Sequence, residues 1–252
     1  MIFKQSPKVN FLIIGAQKAG TTALHQYLEL HPDVKTAAKK ELHFFNDEAI
    51  YSSKKVDFRI YEKQFGTFEK GKIYGECTPI YLYWKDCSNR IFEYNPRIKL
   101  IAVLRNPVDR AFAQWNMEYG RGFEHESFSD AIRLEKERLE SSPKGQHQVY
   151  SYIHRGMYAR QIERYKKLFP DNQLLFVKYE DFRKNQETTL NQVFDFLGLD
   201  HSIYQFKHNQ IHSTQYNSKL TMEDRQFLLQ EFAPDIKRVE KLLNWNCADW
   251  LK

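Results

Sequence analysis

Phe11-Leu-Ile-Ile-Gly15-Ala-Gln-Lys18-Ala-Gly20-Thr21-Thr22-Ala-Leu24 is the stretch that decides the fold. The apolar residues Phe11 to Ile14 run into two glycines five positions apart, and a helix-like pattern follows. A chain builds an anion cradle in this way. It needs a buried strand, a tight loop whose backbone N–H groups point inward, and a helix N-terminus aimed at the charge. The common triphosphate-binding loop reads GxxxxGK[ST]. Gly15 and Gly20 keep its glycine spacing, but Thr21 stands where the lysine belongs, and the lysine has moved inside the loop to Lys18. The Lys18 ammonium therefore addresses a different atom of the ligand. Thr21 and Thr22 can donate hydroxyls and N–H groups to the same oxygens, or cap the helix, or do both.

Outward from this loop, strands and helices alternate. Val9–Ile14 reads as a strand, 21–30 as a helix ended by His31-Pro32, and a further extended segment starts near Val34. Lys72–Gly75 reads as a short strand. Ile98–Leu104 is apolar at almost every position, as in a parallel sheet covered on both faces. Pro107 then opens a helix at its first turn. Leu174–Val177 is another buried strand. The stripe Tyr158, Ile162, Tyr165 precedes it, and the stripe Leu190, Val193, Phe194, Leu197 follows it, stopped by Gly198. Thr221-Met-Glu-Asp224 resembles a helix N-terminal box before Phe227–Phe232, and Pro234–Leu243 reads as a helical tail. The expectation is an α/β, P-loop-type three-layer fold: one domain over 1–252, with a central parallel sheet flanked by helices. In such sheets ligands lie beyond the carboxyl ends of the strands. The loops after Ile14, Gly75 and Leu104 should then meet in one cleft.

Composition sets broad bounds. The 252 residues are 42% hydrophobic and 28% charged, with a net charge of +6 that suits an anionic ligand. Lysine and arginine are spread without a run of five or more, so no dedicated nucleic-acid surface is expected. The first ten residues, with Lys4, Gln5, Pro7 and Lys8, hold no apolar region of signal-peptide length. No segment approaches the roughly 20 apolar residues that span a bilayer. Cys77, Cys87 and Cys247 are widely separated and lack metal-ligand spacing, which fits reduced thiols and a cytoplasmic location. Acceptor and oligomeric state are open at this level.

Three more segments carry candidate chemistry. Arg105-Asn-Pro-Val-Asp-Arg110 follows the strongest strand, and a guanidinium leaving a strand's carboxyl end can fork onto a phosphate. Arg110, one turn into the helix, is a second candidate, with a structural role as the alternative. Lys40-Glu41-Leu42-His43-Phe44-Phe45 contains two possible bases. A Glu41 carboxylate desolvated by the aromatics would have a raised pKa suited to proton abstraction, whereas a solvated Glu41 and a core-edge His43 would do nothing. In Gly75-Glu76-Cys77-Thr78-Pro79, Glu76 either orients a substrate hydroxyl or pairs with a lysine.

Taken in order, these segments resemble the sulfotransferase family, in particular the branch of the heparan sulfate sulfotransferases and their bacterial relatives. Gly15–Leu24 is similar to that family's 5′-phosphosulfate loop, and Leu104–Ala111 to its 3′-phosphate motif. His31-Pro-Asp-Val34, Lys40–Phe45, Thr78-Pro79, Arg155-Gly-Met-Tyr158 and Tyr179-Glu-Asp-Phe182 occur in the family's order. The resemblance implies the donor 3′-phosphoadenosine 5′-phosphosulfate (PAPS), with product PAP, and no metal. It implies that Gln17, Lys18, Ala19, Gly20, Thr21, Thr22, Arg105 and Arg110 hold the donor. Lys18 would stabilise charge on the bridging oxygen and Arg105 would select the 3′-phosphate. Glu41 would act as general base with His43 in support, and the acceptor would be a carbohydrate or another hydroxyl or amine. No nucleic-acid or membrane partner is implied.

Three departures stand out. The family's serine eight residues after the motif arginine is Ala113 here, where Gln114 or a later loop would have to compensate. A lysine often found before Thr-Pro is Cys77. The family's late Lys-Gly-Arg loop has no counterpart in His208–Lys219, which contains no glycine. A non-catalytic nucleotide- or polysaccharide-binding protein, made plausible by Ala113 and Cys77, is the runner-up. A P-loop kinase or NTPase is the third reading, against which stand the missing Lys-Ser/Thr step and the lack of a clear magnesium-binding aspartate.

Overall fold

A computed structural model describes residues 8–53, 55–204, 216 and 218–252. Five strands form its sheet: β1 (Phe11–Gly15), β2 (Val34–Thr36), β3 (Ile73–Cys77), β4 (Lys99–Leu104) and β5 (Leu174–Lys178). Their order is β2-β3-β1-β4-β5, and every pairing is parallel. β1 is central and buried at all five positions, as its unbroken apolar run requires. It pairs with β3 (Leu12 opposite Glu76) and with β4 (Leu12 opposite Leu100). The carboxyl ends of these three strands therefore lie side by side.

The described helices are α1 (Thr21–Glu29), α2 (Arg59–Glu62), α3 (Cys87–Tyr94), α4 (Pro107–Gly120), α5 (Phe128–Glu140), α6 (Tyr158–Lys166), α7 (Tyr179–Lys184), α8 (Gln186–Leu197) and α9 (Met222–Leu243). They flank the sheet and give the three-layer α/β architecture. α4 starts as expected at Pro107, with Asn106 Oδ1 accepting from Val108 N at 3.0 Å. α9 is one helix rather than a short helix and a tail. Thr221 caps it through Asp224 N at 3.1 Å, and Pro234 sits inside it. The buried stripe Leu228, Phe232, Ile236, Val239 runs on through the proline and packs against α6 and α4. That burial outweighs the helix-breaking cost of roughly 3 kcal/mol.

Two glycines shape the entry to the cleft. A Cβ on Gly15 would lie 2.6 Å from Leu82 Cβ, so only glycine lets the 82 segment close over the end of β1. Leu82 N donates to Ile14 O at 2.7 Å across that contact. Gly20 has φ 85° at the N-cap of α1, a left-handed conformation that suits glycine.

Candidate active site

The loop between β1 and α1 presents its lysine under strain. Lys18 has φ 67°, and α1 opens at Thr21 with no side-chain cap and no acidic residue in its first turn. Its first N–H groups and the positive end of the helix dipole are thus left to a ligand. Lys18 is half-buried, and its ammonium has no hydrogen bond or ion pair among the described residues. Burial first, then Arg121 and Arg105, push its pKa below the ordinary lysine value. An unpaired ammonium crowded by two guanidinium groups is a site prepared for an anion.

Arg105, at the end of β4, joins this cluster. Its Nη1 donates to the Lys18 carbonyl at 3.1 Å, and its guanidinium lies 5.0 Å from the centre of the Tyr179 ring. The other N–H groups of Arg105 have no partner among the described residues. Gln17 accepts a hydrogen bond from Arg155 Nη1. Ala19 and Thr21 are buried, so Thr21 offers its backbone, whereas Thr22 is exposed and offers its hydroxyl. Gln17, Lys18, Gly20 and Thr22 thus lie on one loop and helix start, with Arg105 held against the same loop through the Lys18 carbonyl. Lys18 with the open helix end, and the free edge of Arg105, are its two cationic features.

Arg110 does not belong to that surface, which corrects the expectation drawn from its motif. It is fully buried, with Nη1 donating to Gln114 Oε1 at 2.8 Å and Nη2 to the Tyr152 carbonyl. Its Nη1 and Nη2 are engaged inside α4's covered face, and its Nε is buried without a partner among the described residues. Gln114 is committed as well, since its Nε2 donates to Val149 O at 2.7 Å. It therefore does not stand in for the hydroxyl missing at Ala113, which is itself fully buried. The late segment His208–Lys219 lies mostly outside the described residues.

The 40–46 loop supplies the second half of the site. Glu41 N donates to Cys77 O at 3.1 Å and Leu42 N to Glu76 Oε2 at 3.3 Å, which pins the loop to β3, the neighbour of β1. Glu41 and His43 both take positive φ, 59° and 57°. Among the described residues five non-glycine residues do so, and three of them are Lys18, Glu41 and His43. Strain of this kind, of order 1–3 kcal/mol each, clusters at functional sites.

Glu41 Oε2 lies 3.7 Å from His43 Nε2, and Lys40 Nζ donates to Glu41 Oε1 at 3.2 Å. His43 Nδ1 lies 3.0 Å from Asn46 Oδ1, an acceptor. Nδ1 must then carry a proton, and the imidazole faces Glu41 best when Nε2 is protonated too. The His43 hydrogen bond, helped by Lys40, outweighs burial and lowers the Glu41 pKa. The same bond raises the pKa of His43. This is the reverse of the carboxyl shift expected from the aromatic surroundings. The raised carboxyl is Glu76, fully buried and bonded to Tyr61, Tyr81 and Thr78 at 3.1, 3.0 and 2.7 Å. These donors and Leu42 N engage both of its oxygens, and it has no lysine ion pair among the described residues.

Sequence reasoning gave no role to Arg155, Arg121 or Glu118. Arg155 is fully buried, donates to Gln148 O at 2.8 Å, stacks 4.9 Å from the Tyr83 ring centre and is pushed down to about 10, first by burial and next by Arg110. Its contact with Gln17 ties the 147–156 segment to the donor loop. Arg155 did sit in a recognised motif, but its target could not be read there. Glu118 and Arg121 carry no motif, and only their place at the end of α4 brings them near Lys18.

Residues 8–227 match the family described as "Sulfotransferase domain". The chain is 32% identical over 205 residues to heparan sulfate glucosamine 3-O-sulfotransferase 3B1 of Mus musculus, covering 78% of this chain and 47% of the relative. It spans about half to two thirds of the length of the curated relatives it matches. The crystal structure of a sulfotransferase from Alicyclobacillus acidocaldarius superposes with a TM-score of 0.82 at 28% identity, covering 98% of this chain and all of that one. A mouse sulfotransferase complexed with PAP shares the fold at a TM-score of 0.59 and 17% identity, covering 94% of this chain and 87% of that one. The chain belongs to the sulfotransferase domain family.

Proposed function

We propose that this protein transfers a sulfuryl group from PAPS to a hydroxyl or amine of a carbohydrate acceptor. The observation that carries the reading is the unpaired, half-buried Lys18, held at positive φ beside Arg105 and at the open end of α1. Bound there, the donor supplies a sulfuryl group joined to a 5′-phosphate, and a second, 3′-phosphate for the free edge of Arg105. The PAP complex of the mouse structural neighbour and the heparan sulfate acceptor in the curated relative's name support donor and acceptor class.

Each residue has one task. Glu41, ionised because His43 and Lys40 hold its pKa down, accepts the proton of the attacking hydroxyl or amine. The acceptor atom bonds to sulfur as the bond from sulfur to the 5′-phosphate oxygen breaks. Lys18 and the N–H groups of α1 meet the charge that grows on that oxygen, which stabilises the transition state more than the ground state. His43, its pKa raised by the same contact, steadies Glu41 until the proton arrives.

The test is a PAPS-dependent transfer screen over neutral, amino and uronic-acid-containing oligosaccharides, read by the mass of an added sulfuryl group, with PAP binding measured without magnesium. Transfer with tight PAP binding supports the proposal. PAP binding with no transfer to any saccharide points to the non-catalytic reading, and Mg–ATP binding without PAP binding to a kinase.

A further inference from the structure

One ammonium joins the two halves of the site. Lys40 Nζ donates to Thr22 Oγ1 at 2.7 Å and to Glu41 Oε1 at 3.2 Å. Thr22 lies in the first turn of α1, directly behind the donor loop. Glu41 lies on the loop pinned to β3. The two oxygens of Glu41 thus have different cationic partners, Lys40 on Oε1 and His43 on Oε2. That fixes the rotation of the carboxylate. Position 77 supplies no cation from β3, because the Cys77 thiol is buried and pushed up to about 12, first by desolvation. Lys40 is the cation that acts on that thiol. The 40–46 loop therefore brings the positive charge that β3 lacks.

We infer that Lys40 is a positioning residue that clamps the Glu41 carboxylate to the start of α1 through Thr22, holding it in place and ionised for proton abstraction. This rests on the reading of Glu41 as the base. The charged and titratable groups around the clamp are Lys18 from the donor loop, His25 from α1, Glu76 and Cys77 from β3, and His43 on the loop itself. Lys40 and His43 lower the Glu41 pKa against the opposing effect of burial. Without Lys40 the pKa rises, and the acid limb of kcat/KM moves to higher pH.

The experiment compares Lys40→Met, Lys40→Gln and Lys40→Arg with wild type, using PAPS and the best saccharide from the transfer screen. Lys40→Gln keeps a bond to Thr22 and guards against misfolding of the methionine variant. The expected result is a roughly 10- to 100-fold lower kcat/KM in the two neutral variants, the scale of a base displaced by about an ångström. Their acid limb moves up, PAP affinity stays within about threefold, less than 1 kcal/mol, and arginine restores most of the rate. An unchanged rate overturns the inference, and so does a lower rate with an unmoved limb. A loss of PAP affinity as large as the loss of rate also overturns it, since Lys40 would then serve the donor. If wild type itself transfers nothing, the reading of Glu41 fails first, and separately.

Discussion

Replacing Lys18 separates what this residue does for the reaction from what it does for the fold. In Lys18→Met the loop loses a half-buried ammonium that has no ion pair among the described residues and on which Arg121 and Arg105 act more strongly than the opposing Glu118. A contact made to charge that develops only in the transition state is worth ~10²–10³ in kcat, about 2.7–4 kcal/mol. PAP has no sulfuryl group, so its affinity should fall by no more than about tenfold, roughly 1.4 kcal/mol. Stability should move the other way. Burial and the two guanidinium groups all disfavour the charge, so its removal relieves repulsion and breaks no bond. Lys18→Gly removes the φ 67° strain as well, worth roughly 1–2 kcal/mol in a non-glycine residue. For a chain of this size that corresponds to a rise of a few degrees in Tm, partly offset by the added freedom of glycine in the unfolded chain. The assays are single-turnover transfer from PAPS, PAP calorimetry and thermal melting of the three proteins side by side. A melting point that falls by several degrees in both variants, with turnover within tenfold of wild type, would refute the reasoning, because Lys18 would then be structural.

Other outcomes follow from the same geometry. Glu41→Gln should lower kcat by ~10²–10⁴, the usual worth of general-base catalysis, with PAP affinity within about threefold; a histidine NMR titration should show His43 titrating above its ordinary value in wild type and falling back toward it in this variant. The sign for stability follows: because the folded state raises the His43 pKa, its contribution is full below the unfolded value of 6.5 and is lost as pH rises through the folded one. The melting-point gap between wild type and His43→Asn should therefore hold below pH 6.5 and narrow above it, as a pH series of melts will show. Arg105→Lys keeps the charge but loses the fork and the stack on Tyr179, so PAP should bind ~10-fold more weakly while adenosine 5′-phosphosulfate, which lacks the 3′-phosphate, loses little. Arg110→Met should instead act on folding, since it orphans Gln114 and the Tyr152 carbonyl at about 1–3 kcal/mol each, and the folded fraction should bind PAP normally in calorimetry.

The sheet was legible because β1 is apolar up to Gly15 and β4 is apolar after Lys99, the pattern of strands covered on both faces. The loop between β1 and α1 was legible for a related reason: two glycines after such a strand permit a close approach at Gly15 and a left-handed turn at Gly20 that other residues resist. α5 was not read, because its charged residues outnumber its buried stripe Phe128, Ala131, Ile132, Glu135, Leu139. Its signal was present in Ser127, which caps the helix through Asp130 N at 3.2 Å. Arg110 misled because a motif fixes chain position and not helix facing. With Gln114 four residues on, it forms a polar stripe on the face that α4 buries. The direction of the Glu41 shift could have been read from Lys40 and His43, which flank it; their charges count for more than the neighbouring phenyl rings.

The Glu76 hub has a wider meaning for how such a chain changes its chemistry over time. An interior carboxyl group anchors the 40–46 loop to the sheet through Leu42 N, beside the bond from Glu41 N to Cys77 O. Tyr61 donates to the same carboxyl. On the proposed reading, residues 47–53, which make none of the hydrogen bonds to Glu41 or His43, can be rewritten around new acceptors while the proposed base keeps its place. Proton abstraction and acceptor choice would then sit on separate mountings, and drift in one need not unseat the other.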